Sequence, residues 1–323
     1  MKRREFIALL GSAAAAWPRM ARAQEPGRTY RLGAMIPVER QTPGAAAFFD
    51  EMRLFGFVEG QNLTVLPSGF GVRNDELAER AEVLVKAAPD AIISGPDNYT
   101  RELQRLTRTI PLIAMTEDMV AAGLVASLAR PGGNTTGISL LSPELDGKRQ
   151  DILIEAAPGM RRMAALFDST VTPQGHVDAL QDAARRRGVE MLIFGAAKHE
   201  DVLPVIEAAT AAGAQALNLL ASPLFSVNSR PFIIRIAALR VPAMHQWPEI
   251  AEDGGLMGYG PRFTHTFRQR ARIVARILRG AKPADIPVEQ PTHFELIINL
   301  QTAKAIGHEV PAGLVLRADK VIE

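Results

Sequence analysis

The stretch AIISGPDNYTRELQRLTRTIPLIAMT, residues 91–116, decides the fold. Two short apolar runs, Ala91–Ser94 and Leu112–Met115, read as buried strands. Between them a Gly-Pro turn leads into Arg101–Arg108, whose apolar residues recur at helical spacing. Strand, helix and strand in that order make a βαβ unit. Such units build a parallel sheet with helices on both faces.

The same alternation extends outward in both directions. Upstream, Arg31–Ile36 and Leu63–Leu66 are strand candidates, with helices predicted over Ala45–Phe55 and Glu76–Ala88. A glycine-rich turn, Pro131-Gly132-Gly133-Asn134, and the segment Thr135–Leu141 then interrupt the pattern, which restarts. Met163–Phe167, Met191–Phe194, Ala216–Leu220 and Val241–Met244 are the next strands. Val177–Arg187, Asp201–Ala212 and Ser229–Leu239 are the helices between them. The remainder holds GLMGYG (255–260), a basic helix Thr264–Arg279 and a last strand Phe294–Ile298. It is too short for a domain of its own and is expected to return and complete both sheets. The predicted fold is therefore α/β, with two Rossmann-like lobes of parallel strands joined by a multi-strand hinge. Lobe 1 is expected over 28–140 plus about 257–290, and lobe 2 over 141–256 plus about 291–323. Ligands of open α/β sheets bind at the carboxyl ends of the strands, here the cleft between the lobes.

The first residues speak of location. Lys2 to Phe6 form a charged head, Ile7–Ala16 a short apolar run, and Ala21-Arg22-Ala23 a small-x-small cleavage site. This order reads as an export signal over 1–23, cleaved after Ala23 to leave Gln24 first. Arg3-Arg4 ahead of Phe6-Ile7 resembles the twin-arginine type. The leader distorts the charge balance of the chain, which holds 37 basic and 35 acidic residues. Residues 1–23 carry five basic residues and one acidic, so the remainder has 32 against 34 and a formal charge of −2. That balance gives no ground for nucleic-acid binding. There is no cysteine, hence neither disulfide nor thiolate chemistry nor a lipoprotein anchor. No later apolar run is long enough to span a membrane. A monomeric periplasmic protein is expected.

The candidate ligand-binding residues are those that follow strand ends. Ser94, Gly95, Pro96 and Asp97 precede a helix start whose free amides, with the hydroxyls of Ser94 and Thr100, can hold a carboxylate. Thr116, Glu117 and Asp118 offer carboxylates for an ammonium group. Asp168, Ser222 and Pro223 occupy the corresponding positions in the second unit. Trp247, Tyr259 and Phe225 can cover an apolar part, and Arg40 can clamp a carboxylate bidentately. Arg268, Arg270, Arg272, Arg276 and Arg279 read as a solvated helix face. The six histidines are scattered with no HExxH, so no metal site is predicted, and GxGxxG, GxxxxGK[ST] and GxSxG are all missing. These absences argue against an enzyme and against a resident cofactor.

Longer strings carry a family likeness. GLVASLARPGGNTTG (123–137), ELDGK (144–148), GGLMGYGP (254–261), GAKPADIPVEQPTHFELIIN (280–299), TAKAIG (302–307) and Arg317-Ala318-Asp319 resemble bacterial ABC-transporter substrate-binding proteins of the tryptophan/aromatic-amino-acid-binding-like family. The resemblance implies a type I periplasmic-binding fold with three crossover segments. It also implies capture of a small solute, often an amino acid, for a membrane permease with its ATPase subunit. The alternatives are a sensory protein presenting a solute to a receptor and, further off, an exported enzyme. The loops that the resemblance places at the ligand differ here. S-G-P-D stands where G-T-P is usual, E-D-M where G-D-P is common, and S-P where D-P is often written.

Overall fold

Residues 27–140 and 142–323 are described by a computed structural model; the expected export signal lies outside the described residues. Five parallel strands form the first sheet: β1 (Tyr30–Met35), β2 (Leu63–Val65), β3 (Ala91–Ser94), β4 (Leu112–Thr116) and β5 (Thr135–Ser139), in the order β2-β1-β3-β4-β5. β3 and β5 are buried along their whole length, as strands covered on both faces must be. Helices α1 (Pro43–Leu54), α2 (Leu77–Lys86) and α3 (Asp97–Leu106) connect the first four strands. At the head of α1, Thr42 accepts the Ala45 amide and Pro43 supplies a preset φ, so the helix starts sharply. α3 begins at Asp97, a turn before the expected start at Arg101, because Pro96 stands at its N-cap and Asp97 complements the dipole in its first turn.

The second sheet has seven strands. These are β6 (Arg162–Asp168), β7 (Glu190–Ala196), β8 (Leu217–Leu219), β9 (Ala243–His245), β10 (Met257–Gly260), β11 (Glu295–Asn299) and β12 (Lys320–Ile322). They lie in the order β12-β11-β10-β9-β8-β6-β7, all parallel but for the antiparallel pair β10–β11. Around them pack α4 (Ser142–Ala156), α5 (Gln174–Arg186), α6 (Val202–Ala211), α7 (Pro223–Ser226), α8 (Arg230–Ala238), α9 (Pro248–Glu252), α11 (Leu300–Ile306) and α12 (Ala312–Val315).

The long helix α10 (Phe263–Leu278) follows a strand of the second sheet yet packs along α1 and over the first. Its Phe267, Ala271, Val274 and Leu278 join Phe48, Met52 and Ile93 in one core. The chain therefore crosses between the lobes three times: after Leu140, between β10 and α10, and before β11. The tail does not add a regular strand to the first sheet. It supplies α10 and an extended segment in which Thr136 Oγ1 donates to Ile286 O and Glu289 bridges Ile138 at the β5 edge. Met257–Gly260, expected to begin the return to lobe 1, is a strand of the second sheet, and the return follows it.

Helix α4 buries Asp146, Arg149 and Gln150. Arg149 Nη1 donates to Asp146 Oδ1 at 2.8 Å, Nε to Tyr259 O at 2.7 Å and Nη2 to Gln246 O at 3.3 Å. Asp146 Oδ1 also accepts the Ala221 amide. A charge buried this deeply is tolerable because its donors are matched. The network ties α4 to the carboxyl ends of β8, β9 and β10, which face the cleft.

Candidate functional site

A cavity of about 250 Å³ lies between the lobes at the carboxyl ends of their strands. The first lobe contributes Ile36 to Glu39 after β1, Gly95 and Pro96 after β3, and Thr116 and Glu117 at the end of β4. The second contributes Pro223 and Ser226–Ser229 after β8, Gln246 and Trp247 after β9, Glu249 and Ile250 on α9, and Asp253 at its C-cap. Phe263, Thr264, Phe267 and Arg270 of α10 line it from the first lobe. Gly95 is required where the β1 and β3 loops meet, since a Cβ there would stand 2.9 Å from Pro37 Cδ.

One wall is aromatic. Trp247 meets Phe263 edge-on at 4.9 Å between ring centroids, and Phe263 meets Phe267 at 4.6 Å. Edge-on and tilted contacts of this kind are favoured by the ring quadrupoles over a face-to-face sandwich. Across the cleft, Gln246 Nε2 donates to Glu117 Oε2 at 3.3 Å.

The cavity's charges are unevenly satisfied. Arg270 is 1% exposed, with its guanidinium carbon 4.7 Å from the centre of the Phe267 ring. Its Nε and Nη1 have no hydrogen-bond partner among the described residues. Burial alone brings this guanidinium down to about 9. It is the one cation among the described lining residues. Glu249 Oε1 accepts the Phe263 amide at 2.9 Å, while its Oε2 is buried without a partner among the described residues. Burial raises the Glu249 carboxyl above the ordinary range, against the pull of Arg262. Among the described residues no group of three His, Asp or Glu is placed to hold a metal ion.

Six of the sequence candidates line this cavity: Gly95, Pro96, Thr116, Glu117, Pro223 and Trp247. The others are placed elsewhere. Ser94 Oγ is 2.8 Å from Thr100 Oγ1, and Thr100 Oγ1 also donates to Gly95 O, so these hydroxyls pin the loop. Asp97 lies behind the same loop. Burial pushes its carboxyl up to about 6, although nearby Thr116 and Arg101 favour its ionised form. Asp118 accepts the Val120 and Ala121 amides. Ser222 Oγ donates to Asp168 Oδ2 at 2.8 Å and accepts the Leu224 amide, so this pair organises the start of α7. Arg40 pairs with Glu59 and lies over the Phe49 ring. Tyr259 is in β10, its ring beside Phe294. Phe225 is in the core beneath α8.

Reading α10 as carrying a uniformly solvated basic face is wrong for one member. Arg272 and Arg276 do face outward, toward Glu51 and Glu289. Arg270 points inward. The signal was present in the spacing, since Arg270 falls on the stripe of Phe263, Phe267 and Val274.

Residues 58–322 match the family described as ABC transporter substrate binding protein. A tyrosine-binding protein of Clostridioides difficile is 27% identical over 259 residues, covering 78% of this chain and 72% of that protein. Among solved structures, a conserved domain protein from Vibrio cholerae aligns with a TM-score of 0.82 at 22% identity, over 91% of this chain and all of that one. The ABC domain from Streptococcus pneumoniae in complex with L-Trp aligns with a TM-score of 0.76 at 20% identity, over 90% of this chain and 100% of its own. The structural likeness is one of fold, and the two lobes with three crossings are the type I periplasmic-binding architecture that the family resemblance implies. With four-fifths of its length matched end to end by one family, this chain belongs to the ABC transporter substrate binding proteins.

Proposed function

We propose that the protein captures an amino acid with a large apolar or aromatic side chain outside the cytoplasmic membrane and delivers it to an ABC permease. The observation that carries this reading is the cavity between the lobes, walled by Trp247, Phe263 and Phe267. Its volume of about 250 Å³ is near the lower bound of ~300–1,000 Å³ usual for small-molecule sites, which suits a solute of amino-acid size. Relatives add support: one is named for tyrosine binding, and a structural neighbour holds L-Trp. The lobes, 28–140 with α10 and 141–260 with the last two strands, would close as rigid bodies on the solute. The permease and its ATPase subunit would read the closed shape. Hydrolysis of ATP belongs to that partner, since this sequence has no P-loop. Residues 1–23 would direct export to the periplasm, where the protein acts as a monomer without chemical change of its cargo.

The test is thermal unfolding of residues 24–323, refolded free of carried-over ligand, against a panel of amino acids. A solute at 100 times its Kd adds about 2.7 kcal/mol to the folded state. For lobes of this size that corresponds to a rise of roughly 5 °C or more. A shift with tyrosine, tryptophan, phenylalanine or leucine is expected. No shift with any amino acid would overturn the assignment.

A further inference from the structure

Arginine is among the costliest side chains to bury, and a buried guanidinium is ordinarily matched by a carboxylate or by carbonyl oxygens. This chain shows the ordinary case in Arg149, all of whose nitrogens find acceptors. Arg270 is just as deeply buried, yet among the described residues Nε and Nη1 have no partner and no carboxylate pairs with it. It lines the cavity, stacked on Phe267, and Phe267 continues the aromatic wall. A fork of donors held rigid by a ring is preorganised for a planar, bidentate acceptor.

We propose that Arg270 is the anchor for the carboxylate of the bound solute, which supplies the missing counter-charge when the cleft closes. The proposal rests on the cavity being the solute site. It also makes an amphoteric solute the best fit. A purely anionic guest would meet the lining carboxylates Glu39, Glu117, Glu249 and Asp253, whereas an ammonium group on the same molecule offsets them.

Calorimetry on the wild-type chain decides the matter with three probes of one shape: L-phenylalanine, 3-phenylpropanoate and phenethylamine. The first two keep the carboxylate and the third lacks it. The anchor requires phenylalanine to bind, and phenethylamine to bind at least about 10- to 100-fold more weakly, the range for hydrogen bonds to a charged group. Arg270→Met should weaken phenylalanine by a similar factor and leave phenethylamine unchanged. The same substitution should raise the melting temperature of the ligand-free protein, because it removes an uncompensated charge; a purely structural arginine would do the reverse. Arg270→Lys should recover part of the lost affinity. Phenethylamine binding as tightly as phenylalanine would overturn the anchor, and so would unchanged phenylalanine affinity in Arg270→Met; either leaves the amino-acid assignment intact. Binding of 3-phenylpropanoate without any amino acid would keep the anchor and refute the amino-acid assignment. Failure of every carboxylate would refute both.

Discussion

Asp97 shows how a residue can be well chosen by position and differently employed. It follows a strand end, as a ligand residue should, but the helix begins one turn early and draws its carboxyl inward. In the folded state the group titrates near 6, above the 3.8 of the free side chain, mainly through burial. A raised carboxyl disfavours the ionised form, so stability falls as pH rises from about 4 through 6 and the penalty is complete above that. Asp97→Asn should therefore be more stable than wild type by about 1–3 kcal/mol at pH 8 and nearly equal to it at pH 4. Urea unfolding at both pH values checks this; a difference independent of pH would show that the ionised carboxylate is satisfied in solution. Sequence could place Gly95, Thr116 and Trp247 at the cavity because strand ends are legible. It could not tell Asp168 and Ser222, which satisfy each other, from free ligand groups. Partnership between residues 54 positions apart leaves no mark in a sequence.

Elements whose buried face is apolar were readable to within a few residues, and those with a polar buried face were not. α4 is the clearest omission: Asp146, Arg149 and Gln150 occupy its inner side, so the 3.6-residue apolar period is broken where it matters. The short α9 and α11 are set by tertiary contacts more than by periodicity. α10 was readable as a helix within the segment expected in lobe 1, but its packing partner α1 was not, because that contact depends on the fold. At that contact Gly44 stands under the aromatic wall, and a Cβ there would lie 2.6 Å from Phe263 Cε1. Alanine raises helix propensity by up to ~1 kcal/mol but must push the ring toward Trp247. Gly44→Ala is expected to change stability by less than about 1 kcal/mol while lowering solute affinity several-fold. Parallel unfolding and calorimetry would separate the two effects, and unaltered affinity would show that the ring yields without disturbing the site.

For the whole molecule, alternation of strand and helix foretold two sheets and the cleft, while the place of Met257–Gly260 in the second sheet needed the structure. The Gln246–Glu117 hydrogen bond joins the two sides of that cleft. A bond of this kind is worth about 1 kcal/mol, enough to shift a balance between open and closed forms roughly five-fold. Gln246→Ala should enlarge the ligand-free protein's radius of gyration in small-angle scattering, with the difference vanishing at saturating solute. Equal radii without solute would mean that the bond does not bias closure. The path of α10 has a consequence for biogenesis. A ribosome delivers all five strands of the first sheet by residue 139, but the helix that covers one face arrives more than a hundred residues later. Until then Phe48, Met52 and Ile93 lack the partners that bury them. The lobe made first thus waits for a helix delivered only after most of the second lobe, and during that interval the nascent chain offers chaperones an apolar surface that the mature protein never displays.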